Sequence, residues 1–158
     1  MPYKLPFTPQ RQFPYPRGVC GFTGTSRPSG MSSRQLKQVR WLLAGVMTLH
    51  LGDAVGADEQ AHGEATALGI YTIGHPPDLK GRRAFCDYNE MRDEKPYLVR
   101  DKAIVAESPD GLIAAPRGFI EVQRGSGTWA TIRYARKAKR KIWIVWPDGD
   151  ITFEDGTK

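Results

Sequence analysis

Short apolar runs alternate along this chain with segments whose apolar side chains recur every three or four positions. The runs are typical of buried strands, and the periodic segments are typical of helices that cover a sheet. We predict strands at residues 18–22, 47–51, 70–73, 111–115 and 142–146, with helices between them. This alternation favours an α/β fold of the Rossmann-like kind, with a mainly parallel sheet of about five strands and helices on both faces.

The two ends of the chain and one internal segment depart from this pattern. Residues 1–17 are rich in proline, which favours an extended arm over a helix. We therefore divide the chain into an N-terminal arm at 1–17, a central domain at 18–147, and a tail or edge hairpin at 148–158. The densely charged segment 75–96 contains three prolines, so it is either a functional flap or a poorly ordered loop.

The composition is that of a cytoplasmic globular protein. No apolar run approaches the roughly 18 residues needed to cross a bilayer, and the N-terminus lacks the apolar core of a signal peptide. We therefore expect no membrane partner. The formal net charge of +6 fits an anionic ligand, and it fits weak nucleic-acid binding equally well.

The metal-ligating residue types are few and scattered. We expect Cys20 and Cys86 to be reduced thiols, because two cysteines form neither a disulfide framework nor a zinc site. His50, His62 and His75 show no metal-ligand spacing with a cysteine or carboxylate set. The sequence predicts no metal and no cofactor.

The strongest local signal lies before the last helix, in a loop formed by Arg124, Gly125, Ser126, Gly127 and Thr128. Glycines let the backbone approach an anion closely, and the first amides of a helix have no partner within the helix. The hydroxyls of Ser126 and Thr128 add donors, and Arg124 can add a bidentate contact. The alternative is that Thr128 only caps the helix while the glycines only shape a turn.

Two further polar loops follow predicted strands. The first consists of Thr23, Gly24, Thr25, Ser26 and Arg27, and the second contains Gly52, Asp53 and Asp58. A doubly wound sheet brings such loops to one edge, so we expect all three loops to form one site, although the first can also be a plain strand–helix connection. Asp53 can accept hydrogen bonds from a ribose or a base, whereas capping alone explains Asp58 near a helix start.

The segment HLGDAVGAD at 50–58, followed by Ala61, Ala65 and Gly69, resembles the HGGARGAD…A…A…G signature of the SLOG superfamily. Residues 96–105 resemble the family's YLxRNxxIV helix, 108–116 its sDxLIAAP strand, and 125–136 its GGTGT or SGTW loop and helix. The resemblance spans about 18–147 and is nearest to small bacterial and phage-borne members. The superfamily includes lonely-guy phosphoribohydrolases, Smf-type DNA-processing proteins and molybdenum-cofactor carriers.

The resemblance implies a domain that binds phosphorylated nucleosides or their derivatives. It implies that residues 125–128 are the phosphate loop, that 23–27 are the first ligand loop, and that Arg100 reaches the site from its helix. The phosphoribohydrolases carry a catalytic glutamate after the phosphate loop, and no glutamate stands in that register here. An acid for N-glycosidic cleavage must then come from elsewhere, and the candidates are Asp53, Asp101 and Glu121.

Three classes of function remain open at this point. The first is a site that senses a nucleotide-derived ligand or cleaves its N-glycosidic bond. The second is nucleic-acid binding of the DNA-processing type, for which the last helix supplies cations, although cations at a helix C-terminus also stabilise a solvated helix by themselves. The third is a structural protein whose arm at 1–17 contacts a neighbour. In each case we expect a homo-oligomer, a dimer.

Overall fold

The computed structural model describes residues 13–157, and it confirms the α/β prediction. Within that range the strands are β1 (Gly18–Gly24), β2 (Val46–Leu51), β3 (Tyr71–Gly74), β4 (Glu90–Met91), β5 (Leu112–Ala115), β6 (Ile142–Val145) and β7 (Ile151–Glu154). The helices are α1 (Ser33–Leu42), α2 (Ala57–Ala67), α3 (Tyr97–Ala106) and α4 (Gly127–Lys137). No helix between residues 13 and 157 is long and apolar enough to cross a bilayer.

The strands form one sheet in the order β4-β3-β2-β1-β5-β6-β7. All neighbours are parallel except β7, which pairs with β6 in the antiparallel direction. The five predicted strands are therefore present, and the additional strands are the two edges of the sheet. The chain first builds outward from β1 through β2 and β3, and later returns to place β5 on the other side of β1. This reversal makes the carboxyl ends of β1 and β5 the switch point at which doubly wound sheets bind ligands.

Alternating side chains of the central strands bury both faces of the sheet. Ile113, Ala115 and Val145 belong to the core that α1 and α2 cover, which also contains Val39 and Ala61. The other face belongs to the core that α3 and α4 cover, with Leu112, Ala114, Ile142, Ile144, Val105 and Ile132. Because every position of β5 and β6 is buried on one face or the other, these two strands are continuous apolar runs in the sequence.

One buried side chain ties helix α1 to the ligand-binding edge of the sheet. The helix begins with a capping box, in which the Gln35 amide donates to Ser32 Oγ and the Ser32 amide donates to Gln35 Oε1, both at 3.0 Å. The side-chain Nε2 of Gln35 then donates to Pro116 O at 2.7 Å and Val145 O at 3.0 Å. The start of α1 is thereby fixed to the carboxyl ends of β5 and β6.

The proposed arm at 1–17 lies outside the described residues up to residue 12, and its last residues contact the domain. Pro14 O accepts a hydrogen bond from Trp143 Nε1 at 2.8 Å, and the ring of Phe13 stacks on that of Phe153 with centroids 5.9 Å apart. Residues 13–17 therefore pack beside the antiparallel edge formed by β7.

Candidate functional site

A cleft of about 1100 Å³ opens at the carboxyl edge of the parallel strands. Its walls come from the ends of β1 and β2 with the loops that follow them, the segment 77–82, helix α3, the loop after β5, and the start of α4. Ligand pockets typically enclose about 300–1,000 Å³. The cleft lies over the switch point beside β1 and has room for a ligand of nucleotide size.

The cleft brings together most of the predicted site residues. Its lining includes Thr23, Gly24, Thr25, Ser26, Arg27, Gly52, Arg100, Asp101, Gly125, Ser126, Gly127 and Thr128. Three other candidates, Asp53, Glu121 and Arg124, do not belong to the lining. The three polar loops therefore lie around one cleft, as expected. Of the candidate acids, Asp101 lines the cleft, and Asp53 and Glu121 do not.

Helix α4 begins at the predicted phosphate loop. Ser126 is its N-cap residue, and the Ser126 hydroxyl oxygen accepts a hydrogen bond from the Trp129 amide at 3.2 Å. Among the described residues we find no acceptor for the amide hydrogens of Gly127 and Thr128, and both residues line the cleft. The cap is thus Ser126 rather than Thr128, and two amides with partial positive charge remain available to an anion.

The loop after β1 adds a cation, Arg27, to the lining of the same cleft. Arg27 donates weakly through Nη2 to Gly30 O at 3.5 Å, but its Nε is buried and has no partner among the described residues. A buried donor without an acceptor costs roughly 1–3 kcal/mol. An acceptor from a ligand would remove that cost if the guanidinium turned toward the cleft.

The first two ligand loops hold each other in place. The Ala57 amide at the start of α2 donates to Thr25 O at 2.9 Å. Gly56 has φ +92, and a Cβ there would lie 2.4 Å from Arg27 O. Only glycine combines this dihedral with this close approach, so the backbone of one loop rests directly on the other.

Arg100 is the buried cation at the floor of the cleft. Its Nε donates to Asp101 Oδ1 at 2.6 Å, and its Nη1 donates to the carbonyls of Gly52 and, at 3.3 Å, of His75. A Cβ on Gly52 would lie 2.6 Å from Nη1, so glycine is required for the guanidinium to reach this carbonyl. The side chain therefore ties α3 to the ends of β2 and β3.

Asp58 lines the cleft and is buried. Its Oδ2 accepts a hydrogen bond from the Ala54 amide at 3.1 Å, whereas its buried Oδ1 has no partner among the described residues. Burial raises the pKa of Asp58 to about 7, although the charge of Arg100 opposes the shift. At neutral pH this group can therefore both donate and accept a proton. The capping interpretation of Asp58 is wrong, because the N-cap of α2 is Gly56 and no side chain caps this helix. The match of Asp58 to the final aspartate of the HGGARGAD signature is the sequence signal that pointed to this residue.

Asp101 lies beside the start of α4. Its Oδ2 is buried without a hydrogen-bond partner among the described residues, 3.6 Å from where a Cβ on Gly127 would stand. Burial raises the pKa of Asp101, although Arg100 and the Thr131 hydroxyl act in the opposite direction. Asp101 is thus the one predicted catalytic acid that borders the cleft.

Asp53 organises a neighbouring segment instead of facing the cleft. Its carboxylate is fully buried and accepts hydrogen bonds from Arg83 Nε at 2.8 Å, the Cys86 amide at 3.1 Å and the Tyr88 hydroxyl at 3.0 Å. Its backbone has φ +55, in the left-handed region that is rare outside glycine. Asp53 is therefore a positioning residue, and it orders part of the segment 75–96, of which residues 77–82 contribute to a wall of the cleft.

Glu121 and the basic last helix neutralise each other. Glu121 accepts hydrogen bonds from Arg133 at 3.1 Å and from Arg136 at 3.0 Å, and Arg136 also pairs with Glu154 at 2.8 Å. The pKa of Glu121 is lowered mainly by the hydrogen bond from Arg136. Two of the cations that suggested a nucleic-acid surface are therefore already paired with carboxylates.

Comparison with solved structures identifies the class of fold. The chain superposes on the protein TM1055 with a TM-score of 0.59, 17% identity, and coverage of 80% of this chain and 72% of that one. It also matches the molybdenum cofactor binding protein from the phototrophic bacterium Rippkaea orientalis, with a TM-score of 0.59, 20% identity, and coverage of 82% and 77%. No family model matches the chain, and no curated protein matches it.

A third solved structure belongs to a DNA-processing protein. DNA processing protein A from Streptococcus pneumoniae matches with a TM-score of 0.56 and 19% identity over 82% of this chain, which spans 50% of that protein. Identities of this order show a shared fold. The fold is the Rossmann-like one that the SLOG resemblance predicts.

Proposed function

We propose that the cleft binds a phosphorylated nucleoside or a nucleotide-derived ligand. The observation that carries this proposal is that the amides of Gly127 and Thr128, which have no acceptor among the described residues, share one cleft with the cationic side chain of Arg27. A phosphate group is an acceptor with several oxygens and can satisfy all of them at once. The SLOG-type fold and the position at the switch point of the sheet support the same ligand class.

The remainder of the cleft suits a nucleoside. Tyr97, Ile120 and Val122 line the cleft, and their apolar groups can pack against a base. Asp58 and Asp101 also line it, and their carboxylates would accept hydrogen bonds from ribose hydroxyls after a small side-chain movement, because one oxygen of each is buried. The lining thus offers both polar and apolar groups to a ligand.

Calorimetry on matched variants tests the proposal. We would titrate the protein with nucleoside monophosphates, the corresponding nucleosides and inorganic phosphate. The monophosphates should bind, the nucleosides should bind at least about tenfold more weakly, and Arg27→Gln should remove most of that difference. Arg34→Gln on α1 removes an exposed arginine outside the cleft and should have no effect. Equal affinities for nucleoside and monophosphate would contradict the proposal.

A second candidate, hydrolysis of the N-glycosidic bond, is favoured by Asp58. In this reaction the C1′–N bond breaks, its electron pair goes to the base nitrogen, and that nitrogen takes a proton from Asp58 Oδ1. Water then bonds to C1′ and gives up its proton, which returns to a carboxylate. A group with a pKa of about 7 suits both proton transfers at neutral pH.

Release of free base measures this reaction directly. Asp58→Asn should abolish base release while leaving monophosphate binding within about threefold, because the amide keeps the size of the side chain. Glu59→Gln, an exposed neighbour on the same helix, is the matched control. Binding without any base release by the unaltered protein would leave a ligand-sensing site and reject hydrolysis.

Nucleic-acid binding has less support from the charge distribution. Arg133 and Arg136 are engaged by Glu121 and Glu154. Single-stranded DNA that binds more weakly with rising salt, and that competes with a monophosphate, would favour this alternative.

A further inference from the structure

The fold brings together three potential metal ligands that the sequence separates. His50 on β2 and His75 after β3 lie 25 residues apart, but their Nδ1 and Nε2 atoms are 2.8 Å from each other. The parallel register pairs His50 with Ile73 and Leu51 with Gly74, so the residue after β3 lies beside β2. Glu107 follows α3 on the same side, and one donor atom from each of the three side chains lies within 4.8 Å of the other two. Spacing along the chain could not reveal this cluster.

We propose that His50, His75 and Glu107 form a binding site for a divalent first-row transition-metal ion of the zinc type. Two histidines and one glutamate are a ligand set that zinc accepts, with further positions for water. The site is distinct from the nucleotide cleft, because none of the three residues lines that cleft.

The two imidazoles are prepared to act as ligands. Both are buried, with 3% and 2% of their surface exposed. The 2.8 Å contact between His50 Nδ1 and His75 Nε2 requires a lone pair on at least one of these nitrogens, which is the electron pair that a metal ion would take. Within the present pair one ring donates to the other. When an ion replaces that hydrogen bond, the donated proton moves to the other nitrogen of its ring and no net proton is released.

Glu107 presents one oxygen to this site and uses the other as an anchor. Its Oε1 accepts hydrogen bonds from Arg92 at 3.0 Å and 2.8 Å, whereas Oε2 accepts none from a described residue and lies 4.0 Å from His75 Nδ1. The two hydrogen bonds from Arg92 hold the carboxylate in orientation, as a second group commonly does for metal-ligating carboxylates.

Small side-chain movements complete the coordination geometry. Donor atoms about 2.0–2.2 Å from a tetrahedral zinc ion lie roughly 3.3 Å from one another. The two imidazoles must therefore separate by about half an ångström, and the Glu107 side chain, which is 36% exposed, must rotate inward. The same exposure provides a route for the ion to enter.

Other charged groups around the site set its expected affinity. Arg92 and Lys95 are the cations that act on His75, while Glu90 and Glu107 act in the opposite direction on the histidine pair. Arg100 contacts the backbone of His75 and not its ring. The nearby cations oppose an ion of the same sign, so we expect micromolar rather than tighter binding.

The test is a titration of the full chain, stripped with a chelator, with Co²⁺ and Zn²⁺. One equivalent of Co²⁺ should bind with visible absorption bands, Zn²⁺ should displace it, and Zn²⁺ should raise the melting temperature. Glu107→Gln should weaken binding at least about tenfold, and His75→Gln should abolish it. His62→Gln is the matched control, because His62 bonds to Asp87 O outside the cluster.

Loss of metal binding in a variant can be distinguished from failure of that variant to fold. Because Glu107 is partly exposed, its variant should fold even if a change at the buried His75 does not, and circular dichroism checks both. No binding at 100-fold molar excess of metal, or binding that only His62→Gln removes, would overturn the proposal. Neither result depends on whether the cleft binds a nucleotide.

Discussion

Tyr88 donates its hydroxyl hydrogen to Asp53 Oδ1 over 3.0 Å, and both side chains are buried. Tyr88→Phe keeps the ring, and Oδ1 keeps its bond from the Cys86 amide, so we expect a loss of about 0.5–1.5 kcal/mol that is confined to the segment around residue 86. A local opening of that size should raise the rate at which a thiol reagent modifies Cys86 roughly fivefold.

A matched variant distinguishes local opening from general loosening. Tyr71→Phe removes another tyrosine–carboxylate bond, from Tyr71 on β3 to Glu90 on β4 at 2.9 Å, which is exposed and does not involve Asp53. It should leave the thiol rate unchanged. If both variants accelerate modification equally, Asp53 does not hold the segment in the way described.

Asp58 should make the stability of the protein fall as pH rises. Burial raises the folded pKa from 3.8 to about 7, so between these values the folded state binds a proton that the unfolded state has lost. The associated stability is complete below pH 3.8 and is lost as pH rises through 7, with an upper limit of about 4 kcal/mol.

Urea unfolding of Asp58→Asn checks this sign. The variant should be more stable than the unaltered protein at pH 8, and the difference should shrink toward pH 4. Glu59→Gln should follow the unaltered protein at every pH. A constant difference between pH 4 and pH 8 would show that Asp58 does not titrate in this window.

Gly127 offers a way to block the anion site without disturbing the fold. A Cβ there would meet Asp101 Oδ2 at 3.6 Å, an ordinary contact, so Gly127→Ala should leave stability within about 1 kcal/mol of the original. The methyl group would stand beside the free amides. We expect monophosphate affinity measured by calorimetry to fall at least about tenfold.

Gly63 on α2 supplies the comparison for that experiment. A Cβ on Gly63 meets nothing within 4 Å, and the residue lies outside the cleft. Gly63→Ala should raise the free energy of unfolding by up to about 1 kcal/mol, because alanine is the better helix former. It should bind the monophosphate with the affinity of the unaltered protein. Equal binding by both variants would mean that the phosphate sits elsewhere.

Gln35 should contribute to stability through two buried hydrogen bonds. Gln35→Met keeps the length of the side chain but leaves the carbonyls of Pro116 and Val145 without its amide hydrogens, 2.7 Å and 3.0 Å away. It also removes the Oε1 acceptor of the Ser32 amide in the capping box. We expect a loss of roughly 1–3 kcal/mol by urea unfolding. The exposed Gln123→Met should change the free energy of unfolding by less than about 0.5 kcal/mol, and a similar loss in both variants would contradict this role.

The central strands and the helices could be predicted because their signal is local. Runs such as Ile142–Val145 are apolar at every position, and the capping box of Ser32 and Gln35 is visible in the sequence. Strand β4 could not be predicted, because it has two exposed residues. Strand β7 is only partly buried, so the sequence left residues 148–158 as either a tail or an edge hairpin. Their pairing depends on neighbours that are distant in the chain.

The candidate site was harder to predict because loop position does not determine side-chain direction. Asp53 and Asp58 follow the same strand, yet only Asp58 lines the cleft, since the left-handed backbone at Asp53 directs its carboxylate to the segment 83–88. The pairing of His50 with His75 depends on strand register, which spacing along the chain does not encode.

Trp129 gives this protein an internal optical signal. It lines the cleft immediately after the two free amides, is 3% exposed, and lies 6.0 Å below the guanidinium of Arg136. An anionic ligand bound at the start of α4 would alter the electric field on the indole ring. Its fluorescence should therefore change in colour or intensity on occupancy, so that unlabelled protein reports its own ligand.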